Sequence, residues 1–182
     1  MQILNIHERE LKAPAVQVGA LIDTLASAGD RLWPRHSWPH MQFDRPLGVG
    51  ADGGHGPIRY RVEGYDPGRY VRFRFTRPKG FDGYHAFEIL SQPQHSTLLR
   101  HTVKMHTRGL ARLSWPLVYQ PLHDALLEDA LATAEASQGL VPTIRNWSNW
   151  VIFLRWILSK GRAGAQVTCD WLHQEMQTNR YP

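Results

Sequence analysis

The sequence contains a single cysteine, Cys169, so no disulfide can form within the chain. No apolar run approaches the roughly 20 residues needed to span a bilayer. The opening MQILNIHEREL is too polar for the core of a signal peptide. We therefore expect a cytoplasmic protein. Its 182 residues, 42% of them hydrophobic, suffice for one domain with a buried core.

Acidic residues are in the minority, and the formal net charge is +5. A basic balance suits nucleic acids, anionic membranes or acidic partners, so the positions of the charges must decide. Several basic side chains alternate with apolar ones and fall on the outward face of the predicted strands. That face lacks the interleaved aromatics on which single-stranded bases stack, and this argues against nucleic-acid binding. These basic residues are Arg59, Arg61, Arg72, Arg74, Arg100 and Lys104.

Several catalytic and cofactor motifs are missing. There is no G-x-S-x-G motif, and Cys169 has no evident base beside it. The segment GVGADG at 48–53 matches G-x-G-x-x-G, but an alternating strand follows it instead of a helix, so we predict no nucleotide cofactor. His36 and His40 have helical spacing, but Pro39 lies between them and Pro34 just before them, which argues against a regular helix. For His85 and His101 no third ligand is fixed by spacing, so no metal site is predicted.

The first part of the chain predicts a strand over Leu4–Glu10 and then a helix. Pro14 opens that helix, in which apolar residues recur at helical spacing until near Gly29. The segment 30–56 is rich in Pro, Gly, Trp and His, and we expect it to hold a short helix, a loop and one strand. Trp33 and Trp38 there form either a lid over a cavity or part of a surface loop.

The middle of the chain predicts two hairpins. In the first, two alternating strands flank the turn 66–68, Asp-Pro-Gly. If Tyr65 pairs with Tyr70, the apolar faces of both strands agree. In the second, GYHAFEIL and TLLRHTVKM are joined near Pro93, and His85 and His101 share the inward face. The expected neighbours in the first hairpin are Val62 with Phe73, and Tyr60 with Phe75.

The apolar face of such a sheet must be covered, and the segment QPLHDALLEDALATAEASQG supplies an amphipathic helix ending at Gly139. Glu128 and Asp129 project away from its apolar stripe, and we expect both to be solvated. His123 and Tyr119, near its start, can reach the interior or lie at the surface. The stripe consists of Leu122, Leu126, Ala130 and Ala134, widened by Leu127 and Leu131.

The run GYHAFEIL, then TLLRHTVKM, then a glycine and a helix with LHDALLEDAL resembles SRPBCC proteins of the polyketide cyclase/dehydrase and lipid-transport group. The resemblance covers roughly residues 1–156. It implies an α+β, START-like helix-grip fold: a curved antiparallel sheet wrapped around a long C-terminal helix, enclosing an apolar cavity. Members bind lipids, polyketides or hormones, and some catalyse ring closure and dehydration. We expect the ligand-binding domain at 1–140 and a C-terminal amphipathic helix and tail at 141–182.

These features predict a binder or carrier of a small hydrophobic ligand, without a cofactor. The alternative is a cyclase or dehydratase in which His85 and His101 act as acid and base, since imidazole titrates near neutral pH. The alternative interpretation, which the residues favour, is that both histidines are hydrogen-bonded core residues. The expected ligand-binding residues are Tyr60, Val62, Phe73, Phe75, His85, Phe87, His101, Val103, Met105, Tyr119, Trp33 and Trp38.

The segment RNWSNWVIFLRWILSK predicts a second amphipathic helix. Its stripe of Trp147, Val151, Leu154 and Leu158 is broadened by further apolar residues, with Arg155 among the basic residues opposite or flanking it. Tryptophan beside basic residues is typical of a helix at a membrane surface. Packing on the domain or on a second copy of the chain is favoured over that reading, so a homodimer and a membrane contact through Trp147–Leu158 both stay open.

Overall fold

The computed structural model describes residues 1–91 and 96–160, which form one antiparallel sheet and several helical segments. The strands lie in the order β1-β7-β6-β5-β4-β3-β2, with ranges β1 Gln2–Leu11, β2 Gln42–Phe43, β3 Asp52–His55, β4 Ile58–Asp66, β5 Tyr70–Arg77, β6 Phe81–Ser91 and β7 Thr97–Thr107. The helices are α1 Ala15–Asp23, α2 Ala111–Ser114, a π-helical turn Trp115–Tyr119, α3 Gln120–Ser137 and α4 Asn149–Leu158. The predicted α+β architecture is confirmed.

The first predicted hairpin forms, with two register shifts in its strand pairing. Its expected cross-strand apolar neighbours do face each other. The pairing of Tyr65 with Tyr70 is wrong, because Tyr65 lies opposite Val71. The register shifts at Glu63, which is an extra residue on β4, and this β-bulge offsets the turn end of the hairpin by one position. The turn predicted at 92–94 for the second hairpin lies outside the described residues.

Helix α1 packs on the turn of the first hairpin. Gly19 lies so close to that turn that an added Cβ would be 2.0 Å from the carbonyl oxygen of Gly68. At the end of α1, the carboxylate of Asp23 accepts hydrogen bonds from the Gly68 amide, at 2.9 Å, and from the hydroxyl of Tyr65, at 2.8 Å. The helix therefore needs a glycine at this crossing, and its end is held to the sheet.

The helix α1 ends earlier than predicted because an aspartate organises the chain beyond it. The carboxylate of Asp30 accepts hydrogen bonds from the amides of Ala26, Leu32 and Trp33, at 2.8 to 3.0 Å, and this holds the segment in turns. Residues 30–56 form turns and the short strands β2 and β3, so the short helix predicted there is wrong. The glycine-rich segment 48–53 is a turn leading into β3, as predicted.

Helix α3 covers the apolar side of the sheet. Leu127 and Leu131 are fully buried and belong to one core cluster with Phe73 and Phe87 of the strands. A smaller cluster around Phe81 and the π-helical turn fills the other end of the space under the helix. The predicted stripe of α3 is therefore the face that packs on the sheet, although Leu122 at its start is only partly buried.

Helix α4 packs through only part of the predicted stripe. Val151 and Leu154 are buried, as expected, but so is Arg155, and Leu158 is 58% exposed. The broadening apolar residues point to solvent, among them Phe153, which is 46% exposed. None of the helices in the described part of the chain is long and apolar enough to cross a membrane. The homodimer, the membrane contact and the cytoplasmic location stay predictions.

Candidate functional site

The site is built around His85 of β6 and His101 of β7. Because side chains alternate along a strand, both point to the face that α3 covers. Their strands pair so that His101 lies opposite Phe87, which makes the two histidines diagonal neighbours. Both are buried, and Nδ1 of His85 lies 3.2 Å from Nε2 of His101, so one ring donates a hydrogen bond to the other. The sequence predicted this side and this proximity.

Aromatic side chains surround the pair. The ring of His85 lies 4.7 Å from that of Tyr60 and 4.8 Å from that of Phe73, measured between centroids. Phe75 stacks on the same imidazole at 5.0 Å. Phe87 meets His101 edge-on at 4.6 Å. The predicted aromatic wall is therefore assembled around the histidines, and its members are in contact with each other.

Three further histidines extend the pair into a row. His123 of α3 lies 5.0 Å from His101, and His7 of β1 lies 5.7 Å from His123, between ring centroids. At the opposite end, Nδ1 of His55 is 3.0 Å from the hydroxyl of Tyr60. We call the series His7, His123, His101, His85 and His55 the histidine row. It runs through the space between the sheet and α3.

Several polar atoms of this row lack a partner. Within the described residues, no hydrogen bond is made by the buried Nε2 of His85, Nδ1 of His101 or Nε2 of His123. The indole Nε1 of Trp115, whose ring lies 6.0 Å from that of His123, is likewise buried and without a partner. Since buried polar groups normally form hydrogen bonds, these atoms mark a place where a further polar group is expected.

The pKa values of the histidines differ along the row because their surroundings differ. Burial lowers the pKa of His85 and His101 well below the usual value, and the neighbouring histidines add to this effect. Burial also lowers the pKa of His55, to about 3. At the other end, burial lowers the pKa of His7, but hydrogen bonds and charges from Asp124 and Glu128 outweigh it and raise that pKa to about 9. The inner rings are therefore neutral at pH 7.

A polar seam joins β1 to α3. Nδ1 of His7 is 2.9 Å from a Glu128 oxygen, and its Nε2 is 3.1 Å from Asp124. Arg9 donates to Glu128 at 3.0 Å and to Glu135 at 2.8 Å. The expectation that Glu128 is solvated is therefore wrong: its side chain is only 13% exposed.

The sequence did not predict this seam, because in the middle of β1 the apolar side chains face solvent and the polar side chains face the helix. The apolar Leu4 and Ile6 are 63% and 47% exposed, whereas Asn5, His7 and Arg9 face α3. Hydrophobicity alone assigns the wrong face inward. One feature of the sequence does indicate the correct face. His7 lies four residues before Leu11, which is buried, and every second residue of a strand lies on the same face.

The second misplaced acid is Asp129, which is 1% exposed. Its Oδ2 accepts hydrogen bonds from the indole Nε1 of Trp38, at 2.7 Å, and of Trp147, at 3.0 Å. The guanidinium of Arg155 lies over both indole rings, 4.2 Å from Trp38 and 4.0 Å from Trp147, and donates to the carbonyl of Ser37. Buried charges of this kind are retained when they are paired and hydrogen-bonded.

The remaining predicted site residues lie in or beside the two core clusters. Val62 belongs to the large cluster, and Val103 and Met105 to the small one. Tyr119 is half-buried against Phe81, with ring centroids 5.1 Å apart. The tryptophans proposed as a lid, Trp33 and Trp38, are buried in the large cluster, and Trp33 stacks near His55 at 4.7 Å.

An open depression of about 730 Å³ lies elsewhere on the surface. It is formed by α1, the turn of the first hairpin and the end of β6, and includes Val16, Asp23, Gly68 and Ile89. No predicted ligand-binding residue lines it. An internal cavity beside the histidine row therefore stays a prediction, and its predicted walls are packed against one another.

No protein-family model and no curated protein matches this sequence. Solved structures do match. A protein from Thermobifida fusca, determined by solution NMR, superposes with a TM-score of 0.58 at 17% identity, over 79% of this chain and 98% of that chain. Truncated norcoclaurine synthase from Thalictrum flavum has a TM-score of 0.56 at 16% identity, over 74% of this chain and 92% of that chain. Ara h 8.0201 has a TM-score of 0.50 at 13% identity, over 76% of this chain and 97% of that chain.

The chain has the helix-grip fold. Identities below one fifth show the fold alone, so the comparisons assign no activity to this helix-grip protein. Its site must be argued from its own residues. Norcoclaurine synthase from Thalictrum flavum was also solved in complex with dopamine and hydroxybenzaldehyde, with a TM-score of 0.57 to this chain at 16% identity.

Proposed function

We propose that this protein binds a small, mainly apolar molecule between the sheet and α3, and that His85 and His101 hold a polar group of that molecule. The observation that carries the proposal is a set of buried ring nitrogens in an aromatic interior that have no hydrogen-bond partner among residues 1–91 and 96–160. Mostly apolar walls with a few convergent polar groups are typical of small-molecule sites. The complex of norcoclaurine synthase with two small aromatic molecules is consistent with such a use of this fold.

The hydrogen bond within the pair defines what the ligand must offer. If Nδ1 of His85 donates to His101, then Nε2 of His85 is an acceptor and Nδ1 of His101 is a donor. If the bond runs the other way, the two free nitrogens exchange roles. In either tautomeric state one free nitrogen donates and the other accepts. The matching ligand carries a donor and an acceptor, as a hydroxy-carbonyl or phenolic compound does.

The proposal is tested by native mass spectrometry of the protein purified from its own host, followed by extraction and identification of the bound molecule. We expect one apolar molecule per chain. The double variant His85→Phe/His101→Phe keeps the ring shapes but removes the free nitrogens, so it should bind the identified molecule at least about tenfold more weakly. His106→Phe, at an exposed position on the same strand as His101, is the matched control.

The folded state provides a second readout of the same double variant. Replacing both members of a buried polar pair by apolar rings is nearly neutral or stabilising. The ligand-free double variant should therefore melt at the same temperature as the wild type or higher. Unchanged affinity in a folded double variant would contradict the proposed role of the pair.

A cyclase or dehydratase activity is the second candidate, and the 3.2 Å contact between the two rings favours it. One free nitrogen takes a proton from the substrate while the proton in the inner hydrogen bond shifts across and the other ring releases its own proton to the substrate. Both rings end neutral, with their tautomers exchanged. This suits rings whose pKa burial keeps low, because no buried imidazolium forms.

The two candidates differ in whether the bound molecule is turned over. Incubation of the identified ligand with the wild-type protein, followed by mass spectrometry, detects a loss of one water or a ring closure without mass change but with altered retention. An enzyme should lose this rate in both His85→Phe and His101→Phe. A carrier returns the ligand unchanged.

A further inference from the structure

We propose that His7, His123 and Asp124 bind one divalent transition-metal ion between β1 and α3. One nitrogen or oxygen from each residue lies within 4.8 Å of the others. Nε2 of His7 is 3.1 Å from Oδ1 of Asp124, and Nδ1 of His123 is 3.5 Å from the same oxygen. Ligand atoms about 2.0–2.2 Å from a tetrahedral Zn²⁺ lie roughly 3.3 Å from one another. The two known separations bracket that value.

The surroundings of His7 resemble the outer shell of a metal site. Its Nδ1 faces Glu128 at 2.9 Å, and a carboxylate there fixes the tautomer in which the lone pair of Nε2 points to the ion. Glu128 is itself held by Arg9 at 3.0 Å and by Arg145 at 3.1 Å. The second ligand position is also supported, because Asn5 donates to Oδ1 of Asp124 at 3.0 Å.

The ion pairs of His7 do not account for the whole cluster. They satisfy His7 and Asp124 but leave both ring nitrogens of His123 without a hydrogen bond within the described residues, and Nδ1 of His123 is 3.5 Å from Oδ1 of Asp124. Oδ1 of Asn5, beside the same carboxylate, is also buried and unpartnered. A cation at the centre of the cluster would give the His123 imidazole a ligand bond, and a water on that cation can donate to Asn5.

The donor set indicates the class of ion. Two imidazoles and one carboxylate suit Zn²⁺ and other first-row divalent metals, whereas Mg²⁺ and Ca²⁺ prefer oxygen ligands alone. Three protein ligands leave a position for water, as in open zinc sites. On binding, the proton shared by Nε2 of His7 and Asp124 leaves to solvent, and the ion takes its place. The ion then links the first strand to the helix at one end of the histidine row.

The test uses the full chain without a polyhistidine tag, freed of metal with EDTA, and titrated near neutral pH with zinc chloride by calorimetry. We expect one equivalent of Zn²⁺ to bind, with Kd in the micromolar range or tighter. Co²⁺ should give the visible absorption band of a low-coordinate site, which Zn²⁺ then abolishes. His7→Gln and Asp124→Asn should each weaken binding by at least about tenfold.

The exposed His106 supplies the control, since His106→Gln should leave the titration unchanged. Equal affinity in wild type, His7→Gln and Asp124→Asn would place the ion on other histidines and overturn the proposal, as would the absence of binding by the wild type at about millimolar zinc. Asp124→Asn retains the shape of the side chain, so it tests the site even if His7→Gln fails to fold. Circular dichroism verifies folding in each case.

Discussion

At the scale of single residues, the interior of this protein is unusual in its polar content. His85 and His101 are 5% and 2% exposed, and each has one ring nitrogen without a hydrogen-bond partner in the part of the chain that the structure describes. Asp129 is buried as deeply, but it is fully engaged by two indoles. Buried polar groups therefore have two roles in this protein. The aspartate stabilises the fold through its hydrogen bonds, whereas each histidine retains a ring nitrogen that can form a further hydrogen bond.

The buried histidines predict an acid-sensitive fold. Since the pKa of His85 and of His101 is lowered in the folded state, the unfolded chain binds more protons below about pH 6.5. The stability they maintain is present above that pH and is lost as the pH falls. We expect the free energy of unfolding to decrease as the pH falls from about 7 to about 5. Urea titrations over this range measure it.

The double variant His85→Phe/His101→Phe should have a smaller loss of stability over the same pH range. His106→Gln, which removes an exposed histidine, should behave as wild type. Carboxylates titrate mainly below this range in the unfolded chain, so they do not mask the comparison. An identical pH dependence in the double variant and the wild type would contradict the assignment.

Among the acidic residues of α3, we expect substitution of Asp129 to lower the stability of the fold most. Asp129→Ala leaves two indole N–H groups without their acceptor in a buried site, so we expect the free energy of unfolding to fall by about 3 kcal/mol. Asp129→Asn retains one acceptor oxygen and should cost less. Chemical denaturation of both variants tests this, with Asp66→Ala in an exposed turn, expected to change stability by less than about 1 kcal/mol, as the control.

At the scale of elements, α4 is held by one face and exposes another. Leu154 and Arg155 are in the interior, whereas Phe153 and Trp156 are 46% and 58% exposed. Period-3.6 patterning identified the helix and part of its buried face, but not the extent of that face, because apolar residues occupy nearly all of its circumference. The interaction that accounts for the buried arginine is a cation–π contact, because the guanidinium of Arg155 lies over the rings of Trp38 and Trp147.

Replacement by alanine at two neighbouring positions on α4 should therefore change the stability by very different amounts. Leu154→Ala creates a cavity at a buried position and should cost about 3 kcal/mol. Phe153→Ala removes an exposed ring and should change stability by less than about 0.5 kcal/mol. Thermal and chemical unfolding of the two variants measure this. A large loss for Phe153→Ala with a well-folded Leu154→Ala would mean that α4 is rotated about its axis.

At the scale of the whole molecule, the net charge of +5 overstates the basic character of the outer sheet face. Most of its arginines are paired across strands: Arg61 with Asp52, Arg74 with Glu63, Arg100 with Glu8. The acids that pair with them lie on neighbouring strands, so only the sheet register reveals the neutralisation. The outward orientation predicted for these side chains is confirmed.

The pairing predicts weak attraction to nucleic acid. A fluorescently labelled single-stranded oligonucleotide should bind with Kd weaker than about 10 µM at physiological salt, as measured by anisotropy. Glu63→Gln, which frees Arg72 and Arg74 from an acid, should bind somewhat more tightly at low salt. Tight binding by the wild type that persists at high salt would contradict this reading of the sheet face.

Local patterning was sufficient for much of this protein. Alternation in the strands defined the inward faces of β4 to β7, and it placed His85 and His101 on one side because a period of two needs only a few residues. The helical period of α3 likewise predicted its packed stripe. The same rules could not determine the β-bulge at Glu63, since one extra residue changes pairing without changing composition.

The tertiary structure alone decided which polar groups are buried. The hydrogen-bonded partners are far apart in the sequence. Asp129 and Trp38 are separated by 91 positions, His7 and Glu128 by 121, and Arg155 and Ser37 by 118. A charged residue read locally is assigned to solvent because its burial is costly without a partner. The partner becomes visible only when distant elements pack. For this reason the sequence predicted the sheet and its covering helix, whereas the seam and the ends of the histidine row emerged only from the fold.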